Sequence, residues 1–96
     1  MSYDYMVLAG TQGLQNHRKK DRMFEVAENL RIPIILIAEG GGGRPGDVDV
    51  TTQIAGLNIP SFSTWARLSG QNLKIAVANG YCFAGNAALF GCSDFR

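Results

Sequence analysis

Seven residues, Ile32 to Ala38 (IPIILIA), run without polar alternation straight into Glu39 and four consecutive glycines, Gly40 to Gly43. The run is too short for a helix and rich in β-branched side chains. It reads as a strand buried on both faces, the pattern of a parallel sheet. Pro33 stands at its first residues, where a missing N–H is tolerated. A parallel neighbour cannot be reached through a tight turn, so the flanking chain must supply crossovers, usually helices.

The rest of the chain meets that demand. Tyr5 to Leu8 is β-prone and ends at Ala9-Gly10. From His17 to Leu30 the period changes: Met23, Val26, Ala27 and Leu30 share one helical face, Asn16 offers a cap, and Arg18 to Arg22 read as a solvated charged face. Val48 to Leu57 and Ser61 to Leu68 read as two short helices broken by Asn58-Ile59-Pro60, with Ser61 as an N-cap and Trp65 in the core. Gly70 stops the second. Leu73 to Asn79 is a further strand, Gly80 to Gly85 a turn, and Asn86 to Cys92 a helix. The order β, α, β, α, α, β, α defines an α/β fold with a mostly parallel sheet. Ser93 to Arg96 reads as the entrance to another strand, so residues 1–96 are expected to be an incomplete fragment of one domain.

Composition removes several classes of function. A net charge of +1 favours neither nucleic acid nor a membrane surface. No apolar run approaches the ~20 residues of a membrane span. The opening stretch carries Asp4 and no basic region, unlike a secretory signal. Cys82 and Cys92 make neither a disulfide framework nor a metal set, and read as small buried side chains in a reducing cytoplasm.

In parallel sheets, ligands collect at the carboxyl ends of the strands. Two unusual loops fall there: Glu39 to Gly46 and Gly80 to Ala88. Glycine lets backbone approach a ligand closely, and N–H groups beside a helix N-terminus are preorganised donors for an anionic oxygen. The tetraglycine also reads as a flexible surface loop, and neither phosphate-loop motif is present. Gly85-Asn86 falls where a strand-to-helix turn aims two N–H groups at one point. Acid–base side chains are scarce. The single histidine, His17, reads as a surface residue at a helix start, and a triad would require a serine and an acid beside it. Such an inventory suits a protein that stabilises an enolate while the substrate supplies the base.

The segment Asp4-Tyr5-Met6-Val7-Leu8-Ala9-Gly10-Thr11, followed by His17-Arg18-Lys19-Lys20, resembles the opening D-F-T-V-x-G-G-S and H-x-x-K of biotin-dependent acyl-CoA carboxyltransferases. Ile34 to Arg44 is similar to that family's buried strand followed by S-G-G-A-R, with Gly40 at the serine and Gly43 at the alanine. Ala78 to Phe95 resembles G-x-C-A-G-G-A, a helix and T-D-F, with Ala84-Gly85-Asn86-Ala87 at A-G-G-A. Ala9, Thr11 and Asn86 depart from the pattern, and one extra residue precedes His17.

The resemblance implies a crotonase-like spiral of ββα units forming part of the N-terminal, acyl-CoA-side domain. It implies carboxybiotin as the carboxyl donor, biotin as the proton acceptor, and an acyl-CoA enolate that attacks released CO2. It implies as partners a biotin carboxyl carrier domain, biotin carboxylase, and a second carboxyltransferase domain from another subunit of a homo-oligomer. By the same resemblance the N–H groups of Gly85 and Asn86 form the oxyanion hole. Gly41, Gly42, Gly43 and Ala84 line the substrate wall, and Arg44 braces it or meets a CoA phosphate. Lys20 or Arg18 meets the CoA 3′-phosphate. Because half of the site is implied to lie elsewhere, the isolated chain is expected to be inactive. Two other readings remain: a crotonase-type hydratase or isomerase, which needs a carboxylate such as Glu39 or Asp94, and a non-catalytic CoA-binding fragment.

Overall fold

The computed structural model describes residues 1–44 and 60–96; the helix expected over residues 48–57 lies outside them. Strands β1 (Ile34–Ile37) and β2 (Lys74–Val77) pair in parallel, with Ile34 opposite Lys74 and Ile37 opposite Val77. Two further segments extend this sheet through parallel bridges. Ser2 pairs with Ile37 on one side and Phe95 with Ile75 on the other. The segments thus lie side by side in chain order, and the ending Ser93 to Arg96 does enter a strand position.

The first segment is displaced from its expected place. Residues 1–3 take the sheet edge, with the Tyr3 N–H donating to the Ile37 carbonyl at 3.2 Å. Tyr5 to Leu8 instead turns, because the Asp4 carboxylate accepts from the Met6 N–H at 2.9 Å and starts a reversal. A short 3-10 turn follows at Leu8–Gly10.

Helix α1 (Leu14–Leu30) begins three residues earlier than His17. Gly13 stands at its N-cap, and Asn16 acts from inside the first turn, its Oδ1 accepting from the Gly13 N–H at 3.0 Å. The buried stripe is also rotated from the expected one. It consists of His17, Lys20, Phe24 and Ala27, while Met23 is 47% and Leu30 64% exposed. Phe24 fixes that rotation by packing on Trp65, ring centroids 4.9 Å apart. The charged first half of α1 is therefore not wholly solvated.

Helix α2 (Ser61–Arg67) and helix α3 (Ala84–Gly91) complete the core of Phe24, Leu36, Trp65, Leu68, Ala76 and Leu89. Pro60, not Ser61, stands at the α2 cap. Trp65 donates its Nε1–H to the Leu89 carbonyl at 3.0 Å, so α2 and α3 are hydrogen-bonded through the core. Both strands bury one face only: Ile34, Leu36, Lys74 and Ala76 point into the core, whereas Ile35 is 54% exposed. The expectation of burial on both faces fails because the helices' buried residues gather into a single cluster on one side.

Lys74 lies in that cluster with no accessible surface. Its ammonium donates to the Trp65 and Cys92 carbonyls and to Ser69 Oγ, at 3.2, 3.1 and 2.6 Å. Cys92 closes α3, so a cation there meets helix-end carbonyls, where positive charge is favoured. The cysteines do not match their expectation: Cys92 is exposed and Cys82 only partly buried, both as free thiols.

Candidate functional site at the strand ends

Three loops meet at the carboxyl ends of the strands. Gln12 bridges Gly43, and Gly40 bridges Cys82, both in parallel fashion. The Gln12 N–H donates to the Gly42 carbonyl at 2.7 Å and the Gly41 N–H to the Ala9 carbonyl at 3.1 Å. On the other side Gly40 donates to the Tyr81 carbonyl at 2.6 Å and accepts from the Phe83 N–H at 2.9 Å. The tetraglycine is therefore no loose loop: it is the middle strand of a small backbone ladder.

Two glycines make that ladder possible. Gly40 has φ +90°, and a Cβ there would stand 2.4 Å from the Ala9 carbonyl oxygen. Gly42 has φ +86°, and a Cβ would meet Ala84 Cβ at 2.7 Å and the Gly85 nitrogen at 3.1 Å. Backbone at such φ with a neighbour this close admits no side chain without displacement. Gly42 thus sits directly on the first turn of α3.

Asn86 locks the arrangement from below. Its side chain is 1% exposed, and Nδ2 donates to the Glu39 carbonyl at 2.6 Å and the Gly10 carbonyl at 3.2 Å. One amide thereby holds all three loops. The side chain does not occupy the space in front of α3. The N–H groups of Gly85 and Asn86 belong to that first helical turn, where intrahelical acceptors are lacking and the helix end carries partial positive charge. Phe62 of α2 lies against Gly85, where a Cβ would come within 2.8 Å of the ring.

The structure therefore gathers Gly41, Gly42, Gly43, Arg44, Ala84, Gly85 and Asn86 at one edge. Arg44 joins through its backbone, donating to the Gln12 carbonyl at 3.0 Å. Lys20 stands apart on α1, in a cleft that touches this edge only through Gln12. Arg18 is exposed. Of the two carboxylates considered, Asp94 binds the Lys74 N–H at 2.8 Å, at the amino end of β2, and so lies at the wrong edge of the sheet. Glu39 follows β1 on the correct edge and helps hold the Cys82 thiol above its usual pKa, after burial as the main cause.

His17 is buried, not superficial, and it does meet a serine and an acid. Its Nδ1 lies 3.1 Å from Ser61 Oγ, and that hydroxyl donates to Asp21 Oδ1 at 2.5 Å. With the hydroxyl proton committed to Asp21, His17 must donate its Nδ1–H to Ser61. The serine is central here, whereas a catalytic triad places histidine between serine and acid. Ser61 has no accessible surface, so the trio joins α1 to α2 and activates no nucleophile. Burial, aided by the nearby Lys20, lowers the His17 pKa to about 4.

Sequence reasoning missed Gln12, Phe62 and the Asn86 side chain. Gln12 and Phe62 carry no local signature, since their partners are distant in the chain. Asn86 had one: an amide replacing glycine in a glycine-rich turn.

Parallel strand ends crowned by glycine loops, with helices on one face, make this a small α/β unit consistent with a fragment of a crotonase-like domain. More particularly, it is similar to a segment of an acyl-CoA carboxylase, as its motifs indicated. The solved structure of a single-chain, multi-domain long-chain acyl-CoA carboxylase matches it at 54% identity with a TM-score of 0.84. That match covers 97% of this chain and 9% of the related one. No protein-family model and no curated protein matches the chain. Among the described residues no helix is long and apolar enough to cross a membrane, and no cluster of His, Cys, Asp and Glu could hold a metal ion.

Proposed function

We propose that this chain supplies the acyl-CoA side of a carboxyltransferase, binding a thioester at the strand ends and stabilising its enolate. The observation that carries this reading is the packing of Gly42 on the first turn of α3. It brings the glycine wall and the N–H groups of Gly85 and Asn86 to one place. The thioester oxygen gains negative charge as the α-proton leaves, and fixed N–H donors stabilise that charge without reorganising. Gly41, Gly42, Gly43 and Ala84 let the thioester approach the backbone, and Arg44 extends the wall. Biotin carries the carboxyl group in this reading, and no described residue is assigned to it. The carrier domain, biotin carboxylase and a second carboxyltransferase domain complete the machinery, with a cytoplasmic, oligomeric protein as the setting. The isolated chain is accordingly inactive.

The test is carboxyl transfer to a long-chain acyl-CoA, the substrate class of the matched carboxylase, by the protein that contains this chain. Gly85→Pro deletes one donor and should lower turnover by about 10²- to 10³-fold. Near-normal turnover would remove Gly85 from the oxyanion hole. If Glu39→Gln abolishes hydration of an enoyl-CoA, the chemistry is that of a hydratase instead.

A further inference from the structure

Helix α2 is only seven residues long, yet it is fastened at two points one turn apart. At its start, Ser61 Oγ donates to Asp21 Oδ1 at 2.5 Å and lies 3.1 Å from His17 Nδ1. Those two partners stand one turn apart on α1, so the hydroxyl is held from two directions. Ser61 has no accessible surface, and no step of the enolate chemistry uses the trio. At the second point, the Trp65 Nε1–H donates to the Leu89 carbonyl of α3 at 3.0 Å. Buried polar networks that are fully satisfied rigidify the elements they join.

Phe62 lies between these two fastenings. Residues 62 and 65 share a face of α2, and residues 85 and 89 share a face of α3. The two faces meet in register: Trp65 reaches Leu89, and Phe62 lies on Gly85, where a Cβ would come within 2.8 Å of the ring. Gly85 does not have positive φ, so backbone conformation does not demand glycine there. The room taken by the Phe62 ring does. In a helix the Cα–Cβ bond tilts toward the N-terminus, the direction in which the first-turn N–H groups also point. A ring that fills the Cβ position of Gly85 therefore flanks the space in front of the Gly85 and Asn86 donors. Phe62 and Gly85 are both partly exposed, so their contact reaches the surface.

We propose that Phe62 is a wall of the enolate site, and that His17, Ser61 and Asp21 are the positioning residues that hold it there. The ring excludes water from the two donors, and a donor in dry, low-dielectric surroundings stabilises developing negative charge more strongly. The proposal rests on the oxyanion reading for what the wall serves. It gives the buried trio a role beyond joining two helices: by fixing Ser61, the trio sets the ring of the next residue.

The test is steady-state carboxyl transfer to a long-chain acyl-CoA by the protein that contains this chain, with kcat and KM read separately. Phe62→Ala should lower kcat by about tenfold with KM within about twofold of normal, because the wall acts on charge that develops in the transition state. Phe62→Leu, which keeps an apolar wall, should stay within about threefold of normal kcat. Asp21→Ala should lower kcat by about three- to fivefold, and Asp21→Asn, which keeps an acceptor for the Ser61 hydroxyl, should restore it. The double variant of Phe62→Ala with Asp21→Ala should be no slower than Phe62→Ala alone, since a clamp that acts through the ring then has nothing to position. Two losses that multiply, a normal kcat in Phe62→Ala, or a change confined to KM overturns the proposal. Should Asp21→Ala not fold, Ser61→Ala takes its place in the double variant. The two readings fail separately. Normal turnover in Gly85→Pro with low kcat in Phe62→Ala removes the oxyanion hole but keeps Phe62 in the site; the reverse keeps the donors and removes the wall.

Discussion

The side-chain amide of Asn86 donates to the backbone carbonyl of Glu39 at 2.6 Å, across 47 residues of chain. Its other bond, to Gly10, spans 76 residues. Replacing Asn86 by Ala or Gly strands the Glu39 carbonyl, while the Gly10 carbonyl keeps Gln12 Nε2 as a donor at 2.9 Å, and should cost about 1–3 kcal/mol in urea unfolding. Hydrogen exchange at Gly40 to Gly43 should accelerate with it. Asn86→Asp should be worse at neutral pH, where a carboxylate faces two carbonyls, and should recover in acid once the carboxyl can donate. Unchanged exchange in Asn86→Ala would show that the ladder holds without the amide.

Glycines of the same backbone conformation should respond unequally to substitution. Gly40→Ala and Gly42→Ala combine positive φ with a collision and should cost about 3 kcal/mol or more. Gly70 has φ +78°, but a Cβ added there would meet no heavy atom within 4 Å, so Gly70→Ala should cost only about 1–2 kcal/mol. Thermal unfolding of the three variants checks the ranking, and equal losses would refute the collision.

Stability should fall as the pH drops from about 6.5 to about 4. His17 binds a proton near 6.5 when unfolded and near 4 when folded, so the unfolded state gains protons throughout that window. Its contribution is complete above 6.5 and lost as the pH passes 4. Urea midpoints at pH 7, 5.5 and 4 measure this slope. His17→Asn, which keeps a donor for Ser61, should flatten it.

Lys74 should tolerate no apolar replacement. Its three donors are all used, so Lys74→Met leaves the Trp65 and Cys92 carbonyls unsatisfied. A loss of about 3 kcal/mol or more is expected on chemical denaturation. A stable Lys74→Met protein would mean that those carbonyls find other donors.

The parallel α/β order was legible because strands and helices differ in period, and that difference is local. Ile34 to Ile37 and Lys74 to Val77 stood out as short apolar runs before glycine-rich turns. The meeting of the tetraglycine with α3 was legible from the rule that parallel strand ends converge. Other features were not local. The rotation of α1 follows from Phe24 meeting Trp65, and periodicity cannot choose between adjacent stripes when a polar His17 or Lys20 finds a buried partner. The turn at Asp4 overrode the β-propensity of Tyr5 to Leu8 because one carboxylate could satisfy the Met6 N–H. The exposed face of β1 was illegible for a simpler reason: Ile35 is as apolar as Ile34, and only the position of the helices separates them.

Among the described residues the four sheet segments lie in space in the order in which they occur in the chain, Ser2, β1, β2, then Phe95. None of these later segments has to be threaded between two earlier ones. Each therefore finds its template already formed at the growing edge. A polypeptide made from its N-terminus can lay down this sheet row by row as it leaves the ribosome, with no need to wait for distant sequence.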